Sequence, residues 1–389
     1  MQGLFRRNKR WPIAIDIGAD SIKLLQLAGG PRPAVRACGI YRCPSGETDG
    51  VRKRQQMTAA VRQLVRGNGF AGRQAVSCLS SSQLQIKNIR LPKMPAPDLE
   101  KAVLWEAKER FSFEMAPDRL SYFSAGEVRS GSDTLEELIL MAVPQEVIDD
   151  HVELVSQMGL ELLHVDAEPI ALFRAYDRLV RRPDDHEAVS VILDLGRSSS
   201  RVVVARGEQI VFIKGIDIGG SQLNESVARK FNLSYQEAVD LRLRTMGVAP
   251  GAAAPGAASP AEGAAQQRES LEWSIRDTVR AQVEALAREI SLCLRYCAVT
   301  FRGLRPGKAV LCGGEAYDRT FTGMLSEQLG VECTNENPLW GLDLSQVDLA
   351  ADKRGLFSEW ALCAGLALGQ SRGAERSGGT SHVYNRLSA

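Results

Sequence analysis

The stretch Ile15-Asp-Ile-Gly-Ala-Asp-Ser-Ile-Lys-Leu-Leu-Gln-Leu27 decides how the chain is read. Apolar residues run into an Asp-x-Gly turn, polar residues follow, and an apolar run leaves. That order predicts strand, tight turn, strand, with Asp16, Ser21 and Lys23 held near the tip. The pattern recurs at Leu193-Asp-Leu-Gly-Arg-Ser-Ser-Ser-Arg-Val-Val-Val204, where Asp194, Gly196, Ser199 and Arg201 keep the spacing of Asp16, Gly18, Ser21 and Lys23. One Asp-x-Gly turn is most simply a hairpin whose Asp caps its own turn. Two in register point to a shared task.

A phosphate chain calls for converging backbone N–H groups and a cation, and glycine turns let the backbone come close. Lys23 and Arg201 are placed to supply charge, and the serine hydroxyls further donors. Mg²⁺ takes few carboxylates and keeps several waters; Asp16 and Asp194 are placed to hold it through water from opposite sides. Two more glycine pairs at strand ends, Gly219-Gly220 and Gly313-Gly314, complete the pattern of a nucleotide cleft between two related domains.

The 389 residues suffice for two domains with a sizeable core. A net charge of +1 gives no global pull toward nucleic acid or membrane, so any partner must be recognised locally. No apolar run reaches the ~18–20 residues that span a bilayer. The eight cysteines include no Cys-x-x-Cys pair, and Cys293 and Cys297, one helical turn apart, have no His or further Cys at ligand spacing. They read as reduced, buried thiols of a cytosolic protein. The first eleven residues are basic and lack the apolar core of a signal peptide; a solvated tail and a weak attraction to an anionic surface both fit.

Along the chain, strands are expected at 13–17, 22–27 and 35–41, a polar loop at 45–54 and a helix at 55–66. Pro92 to Pro97 reads as a non-helical boundary, with Asp98 as the N-cap of the next helix. From Ile86 to Val165 the order strand, helix, strand, strand, helix, strand reads as a compact module inserted into a larger sheet. The second core begins at Val189. Gly247 to Gln267, mostly Ala, Gly and Pro, reads as a disordered loop. After it, Ile275, Val279, Val283, Leu286, Ile290, Cys293 and Cys297 step by three or four along a core-facing helix. Trp360–Leu368 is a small-residue helix suited to close packing between domains, and the chain is polar from Ser371.

The order of Ile15-Asp-Ile-Gly, Leu193-Asp-Leu-Gly, Ile218-Gly-Gly and Leu311-Cys-Gly-Gly resembles the two phosphate motifs, connecting turn and adenosine motif of actin-like ATPases. Leu91-Pro-Lys-Met-Pro95, Ala102-Val-Leu-Trp-Glu-Ala107, Ala142-Val-Pro144, Gly159-Leu160 with Val165-Asp166, and Gly219-Gly-Ser-Gln-Leu223 narrow the resemblance to PilM-like type IV pilus assembly proteins. It runs from about residue 3 to 370. It implies an α/β, bilobed actin-like ATPase fold with an inserted small α/β module, related to the cell-division protein FtsA. The expected division is a basic leader at 1–11 and a first lobe at 12–86, completed by 165–188 and 356–370. The inserted domain follows at 87–164, then a second lobe at 189–355 whose subdomain 223–304 carries the 247–267 loop, and a disordered tail at 371–389.

The resemblance further implies ATP and Mg²⁺ as ligands, and as partner the short cytoplasmic N-terminal peptide of a PilN-like inner-membrane protein. It implies a cytoplasmic platform that reaches the inner membrane only through that partner. By position, Asp16, Gly18, Ser21 and Lys23, with Asp194, Gly196, Ser199, Ser200 and Arg201, would face the phosphates. Gly219, Gly220, Gly313 and Gly314 would line the nucleoside. Glu168 stands where actin-like ATPases place a water-orienting residue; it is equally well an N-terminal helix carboxylate favoured by the dipole. Beyond Glu168 and Asp194 no strong general base is seen, so hydrolysis is expected to be slow or absent. Glu315 departs from the small residues usual after the adenosine glycines. An FtsA-like filament fits less well because the polar end lacks an amphipathic helix. A sugar-kinase-branch phosphotransferase fits less well because residues 87–163 show no sugar-binding cluster.

Overall fold

The computed structural model describes residues 11–29, 33–44, 49–180, 187–245, 262–301, 303, 306–347, 349 and 356–375. Two five-stranded sheets carry the chain. In the first the order is β3 (Ala34–Arg42), β2 (Ser21–Ala28), β1 (Ile13–Ile17), β4 (Gln74–Leu79), β8 (Glu161–Ala167). The second repeats it as β11 (Gln209–Ile216), β10 (Ser200–Arg206), β9 (Val189–Leu195), β12 (Lys308–Cys312), β13 (Glu332–Thr334). In each, three hairpin-linked antiparallel strands precede two parallel ones. This duplicated α/β sheet is the bilobed actin-like architecture. The inner strands are legible because they are nearly continuous apolar runs buried on both faces: all but the last residue of β2 is buried.

Helices cover the sheets. Helix α1 (Gly50–Gly67) and α3 (Gln145–Gln157) pack Met57, Val61, Val155 and Met158 against Ile13, Ile15, Ile22 and Leu24 of the first sheet. Between the lobes lie α4 (Glu168–Val180) and α9 (Ala361–Glu375), joined by Arg174, which binds Asp166 at 2.9 Å and the Gly365 carbonyl at 3.0 Å. The second lobe is flanked by α5 (Gly220–Phe231), α6 (Tyr235–Thr245), α7 (Glu262–Thr300) and α8 (Arg319–Leu329). The α7 residues expected to face the core are all buried, from Ile275 to Cys297.

A third sheet, in the order β5 (Gln85–Pro92), β7 (Asp133–Ala142), β6 (Leu120–Ser130), carries α2 (Ala96–Arg110) on one face. Its other face, with Phe123, Ala125, Val128, Ile139 and Met141, joins the main core. Glu137 fixes the seam: wholly buried, it accepts from Asn88 at 3.1 Å, Arg90 at 2.6 Å and Tyr296 of α7 at 2.8 Å.

Several expectations are corrected. The inserted module ends with β7, not at residue 164, because β8 pairs with β4 and α3 packs on the first sheet. Helix α1 begins at Gly50, inside the expected 45–54 loop, since Asp49 accepts from the amides of Val51 and Arg52. Helix α2 starts at Ala96 and includes Pro97, which costs nothing in a first turn whose N–H groups have no helical partner. Asp98 therefore lies inside that turn rather than capping it. Helix α7 begins at Glu262, within the stretch read as disordered, and α9 runs on to Glu375, into the expected tail. The rest of the 247–267 loop, the leader apart from Trp11, linker residues 181–186 and residues 376–389 lie outside the described residues.

His151 of α3 anchors the first lobe. Ser77 donates to the Ile15 carbonyl at 3.1 Å, so the 3.0 Å contact from His151 Nε2 to Ser77 Oγ has the imidazole as donor. Burial holds the His151 pKa below its ordinary value. The unfolded chain therefore takes up a proton near pH 6.5 that the folded one refuses, and stability is lost as pH falls through that value. His151→Gln, which preserves a donor, is expected to flatten the fall, worth up to about 1.4 kcal/mol per pH unit, in urea unfolding compared at pH 7.5 and 5.5.

Candidate functional site

The two Asp-x-Gly hairpins have the same construction. In the first, Asp16 lies opposite Lys23 in the β1–β2 ladder, and Gly18 N–H closes the turn on the Ser21 carbonyl at 3.0 Å. In the second, Asp194 lies opposite Arg201 in the β9–β10 ladder, and Gly196 N–H closes on the Ser199 carbonyl at 3.1 Å. Each Asp is thus paired with the cation seven residues on: Lys23 Nζ stands 3.3 Å from Asp16 Oδ2, and Arg201 Nη1 stands 2.8 Å from Asp194 Oδ2. Lys23 also donates to Ser21 Oγ at 2.9 Å.

Burial sets the electrostatics. It raises the Asp16 carboxyl above the usual range, with Lys23 opposing; burial would lower Lys23, but Asp16 together with Glu359 more than reverses that. Glu168, first residue of α4, accepts from Ser81 N–H at 2.7 Å and Ser81 Oγ at 2.9 Å. It also pairs with Arg201 Nε, so one guanidinium joins Asp194 to Glu168. Burial pushes Glu168 up to about 7 against the pull of Arg201. The cation expected to serve the phosphates is therefore shared between two buried carboxylates of its own chain.

The remaining residues divide. Ser200 is buried and donates to the Ile218 carbonyl at 2.7 Å, tying the second hairpin to the end of β11. Gly219 lies where a Cβ would come within 2.6 Å of both the Gly196 and Arg197 carbonyl oxygens, and Gly220 N–H donates to Gly196 at 3.0 Å. The turn before α5 is thus stacked directly on the second hairpin tip. Gly313 has φ +86°, and a Cβ there would sit 2.5 Å from Asp194 Oδ1. Asp194 Oδ1 also faces Cys312 Sγ at 3.8 Å, so both its oxygens have neighbours.

Opposite Gly220 sits Glu315. Its carboxylate lies against the Gly220 Cα and is held by Arg242 of α6 at 2.6 Å; Arg242 also binds Asp318 at 2.9 Å and Asn224 at 2.7 Å. Burial pulls the Arg242 pKa down, and Glu315 with Asp318 more than reverses it. This cluster lies beside the glycines expected to line a nucleoside. The sequence reading missed Arg242, whose only signal is a place four residues after buried Ala238 on one helix face.

For magnesium the fit is one-sided. Lys23 engages only Oδ2 of Asp16, so Oδ1 is the oxygen suited to a water of a hydrated ion. Asp194 is engaged at both oxygens. No group of three or more metal-binding side chains exists among the described residues.

The glycine pair after β12 gives a paired prediction. Gly313→Ala forces an alanine into positive φ and onto Asp194, and should cost about 1–3 kcal/mol in thermal or urea unfolding. At Gly314 a Cβ meets nothing within 4 Å, and Gly314→Ala should leave stability unchanged.

A family model described as type IV pilus assembly protein PilM matches residues 14–246. Among solved structures, a chain of a PilM-PilN type IV pilus biogenesis complex is 24% identical, with a TM-score of 0.72 over 92% of this chain and 98% of that one. The ethanolamine utilization protein EutJ from Carboxydothermus hydrogenoformans is 14% identical, with a TM-score of 0.49 over 92% and 89% of the respective chains, a likeness too slight to argue from. The family match spans both Asp-x-Gly hairpins, the inserted sheet and the Gly-Gly turn before α5, and on it the chain belongs to the PilM family of type IV pilus assembly proteins.

Proposed function

We propose that the protein is an ATP-binding assembly platform of a type IV pilus or related secretion machine. The observation that carries this reading is the pair of hairpins in identical register, one from each lobe, each with a buried carboxylate opposed by a cation. The phosphates lie between the two turns, and the nucleoside lies toward Gly219, Gly220, Gly313 and Gly314. Asp16 holds Mg²⁺ through water, and the ion offsets the charge of the phosphates. Turnover is slow or absent: Glu168, the candidate for orienting water, is fixed by Ser81 and paired with Arg201, which ties its Oε2 to the protein rather than to a water.

The partner is the cytoplasmic N-terminal peptide of a PilN-like inner-membrane protein, and the platform sits in the cytoplasm against the membrane through that contact. The likeness to a chain of the PilM-PilN complex and the family match support this partner. The inserted module is its dock. There Trp105 of α2 is 62% exposed, an aromatic suited to anchoring a peptide. No helix among the described residues is long and apolar enough to cross a membrane.

The test is calorimetric titration with Mg-ATP, with phosphate release followed in parallel. Wild type should bind with little turnover, and Asp16→Ala and Asp194→Ala should each weaken binding at least tenfold. Unchanged binding by both variants, or rapid phosphate release by wild type, overturns the reading. Trp105→Ala should weaken peptide binding and leave nucleotide affinity as in wild type.

A further inference from the structure

The two clamp turns touch each other. Arg197, at the tip of the 196–199 turn, forms an ion pair with Asp20, at the tip of the 18–21 turn. One residue comes from each lobe, so the pair bridges the two turns. Its side chains are 29% and 46% exposed, unlike the buried Asp16–Lys23 and Asp194–Arg201 pairs beneath.

Both tips are anchored through their backbones. The Arg197 carbonyl accepts from Ser221 N–H at 2.8 Å and Ser221 Oγ at 3.0 Å, and its guanidinium lies 5.3 Å from the centre of the Tyr235 ring. The Asp20 carbonyl accepts from Cys43 N–H at 2.7 Å. Lys53 also reaches this turn, where it donates to the Ala19 carbonyl at 3.1 Å.

We infer that Arg197 is a phosphate-binding residue, and that Asp20 stands in for the phosphate when no nucleotide is present; this rests on the nucleotide-binding reading above. Lys23 and Arg201 are held by buried carboxylates and are costly to release. Arg197 has a partly solvated partner, and such pairs contribute little on their own. A polyphosphate offers a guanidinium more charge and several oxygens in bidentate geometry, so exchange of Asp20 for phosphate is downhill. The lobes are then joined through the ligand instead of directly. Asp20 is an internal competitor, and its charge also repels the arriving phosphates.

Mg-ATP titrations of the full chain test this with Asp20→Asn, Arg197→Gln, the double variant and Arg197→Lys. Asp20→Asn should tighten binding roughly fivefold, the worth of the competing pair. Arg197→Gln should weaken it on the order of tenfold or more, with partial recovery in Arg197→Lys. In the double variant the gain from Asp20→Asn should disappear, because it acts through Arg197. Thermal midpoints identify any variant that has failed to fold, and Arg197→Lys against wild type then decides. Asp20→Asn binding no tighter than wild type, or Arg197→Gln binding equally well, overturns the inference while leaving the nucleotide reading intact. A wild type that binds no Mg-ATP overturns both.

Discussion

Everything at the centre of this molecule depends on a carboxylate and a cation set seven residues apart on the two strands of a hairpin. A carboxylate buried alone costs several kcal/mol; opposed by Lys23 or Arg201 across the ladder, Asp16 and Asp194 can stay buried beneath the two hairpin turns. The hairpin brings the partner of its own accord, because cross-strand neighbours around a four-residue turn are fixed by register. Duplicating that hairpin in two sheets of the same strand order yields two equivalent turns. Helices α4 and α9 then hold the two lobes together.

The same charge arrangement limits the chemistry. Arg201 joins Asp194 to Glu168, and Ser81 donates to the same Glu168 oxygen, Oε2, that Arg201 pairs with. A carboxylate so engaged is well placed to keep the connecting helix in position. On the far side, Glu315 and Arg242 fill the space beside Gly220 with a buried ion cluster.

Much of this was legible in the sequence, for identifiable reasons. The hairpins are local, so the spacing of Asp16, Gly18, Ser21 and Lys23 carried their geometry, and the echo at Asp194 to Arg201 located the second jaw. The buried strands and the core face of α7 followed from apolar runs and helical periodicity. What escaped was non-local. Nothing in residues 161–167 says that β8 joins β4 instead of the inserted sheet. Glu168, Asp194 and Arg201 lie apart in sequence, and their meeting is a product of the fold; so is the meeting of Asp20 with Arg197. The start of α1 was hidden because Arg52, Lys53 and Arg54 fill its first turns with charge, leaving the Asp49 cap without an apolar run to announce a helix.

The most direct measurement of the central claim is a crystal structure with a non-hydrolysable ATP analogue and Mg²⁺ bound. The phosphates are expected between the 18–21 and 196–199 turns, with the ion reached through water by Asp16. A nucleotide found elsewhere on the molecule, with both hairpins undisturbed, would contradict it.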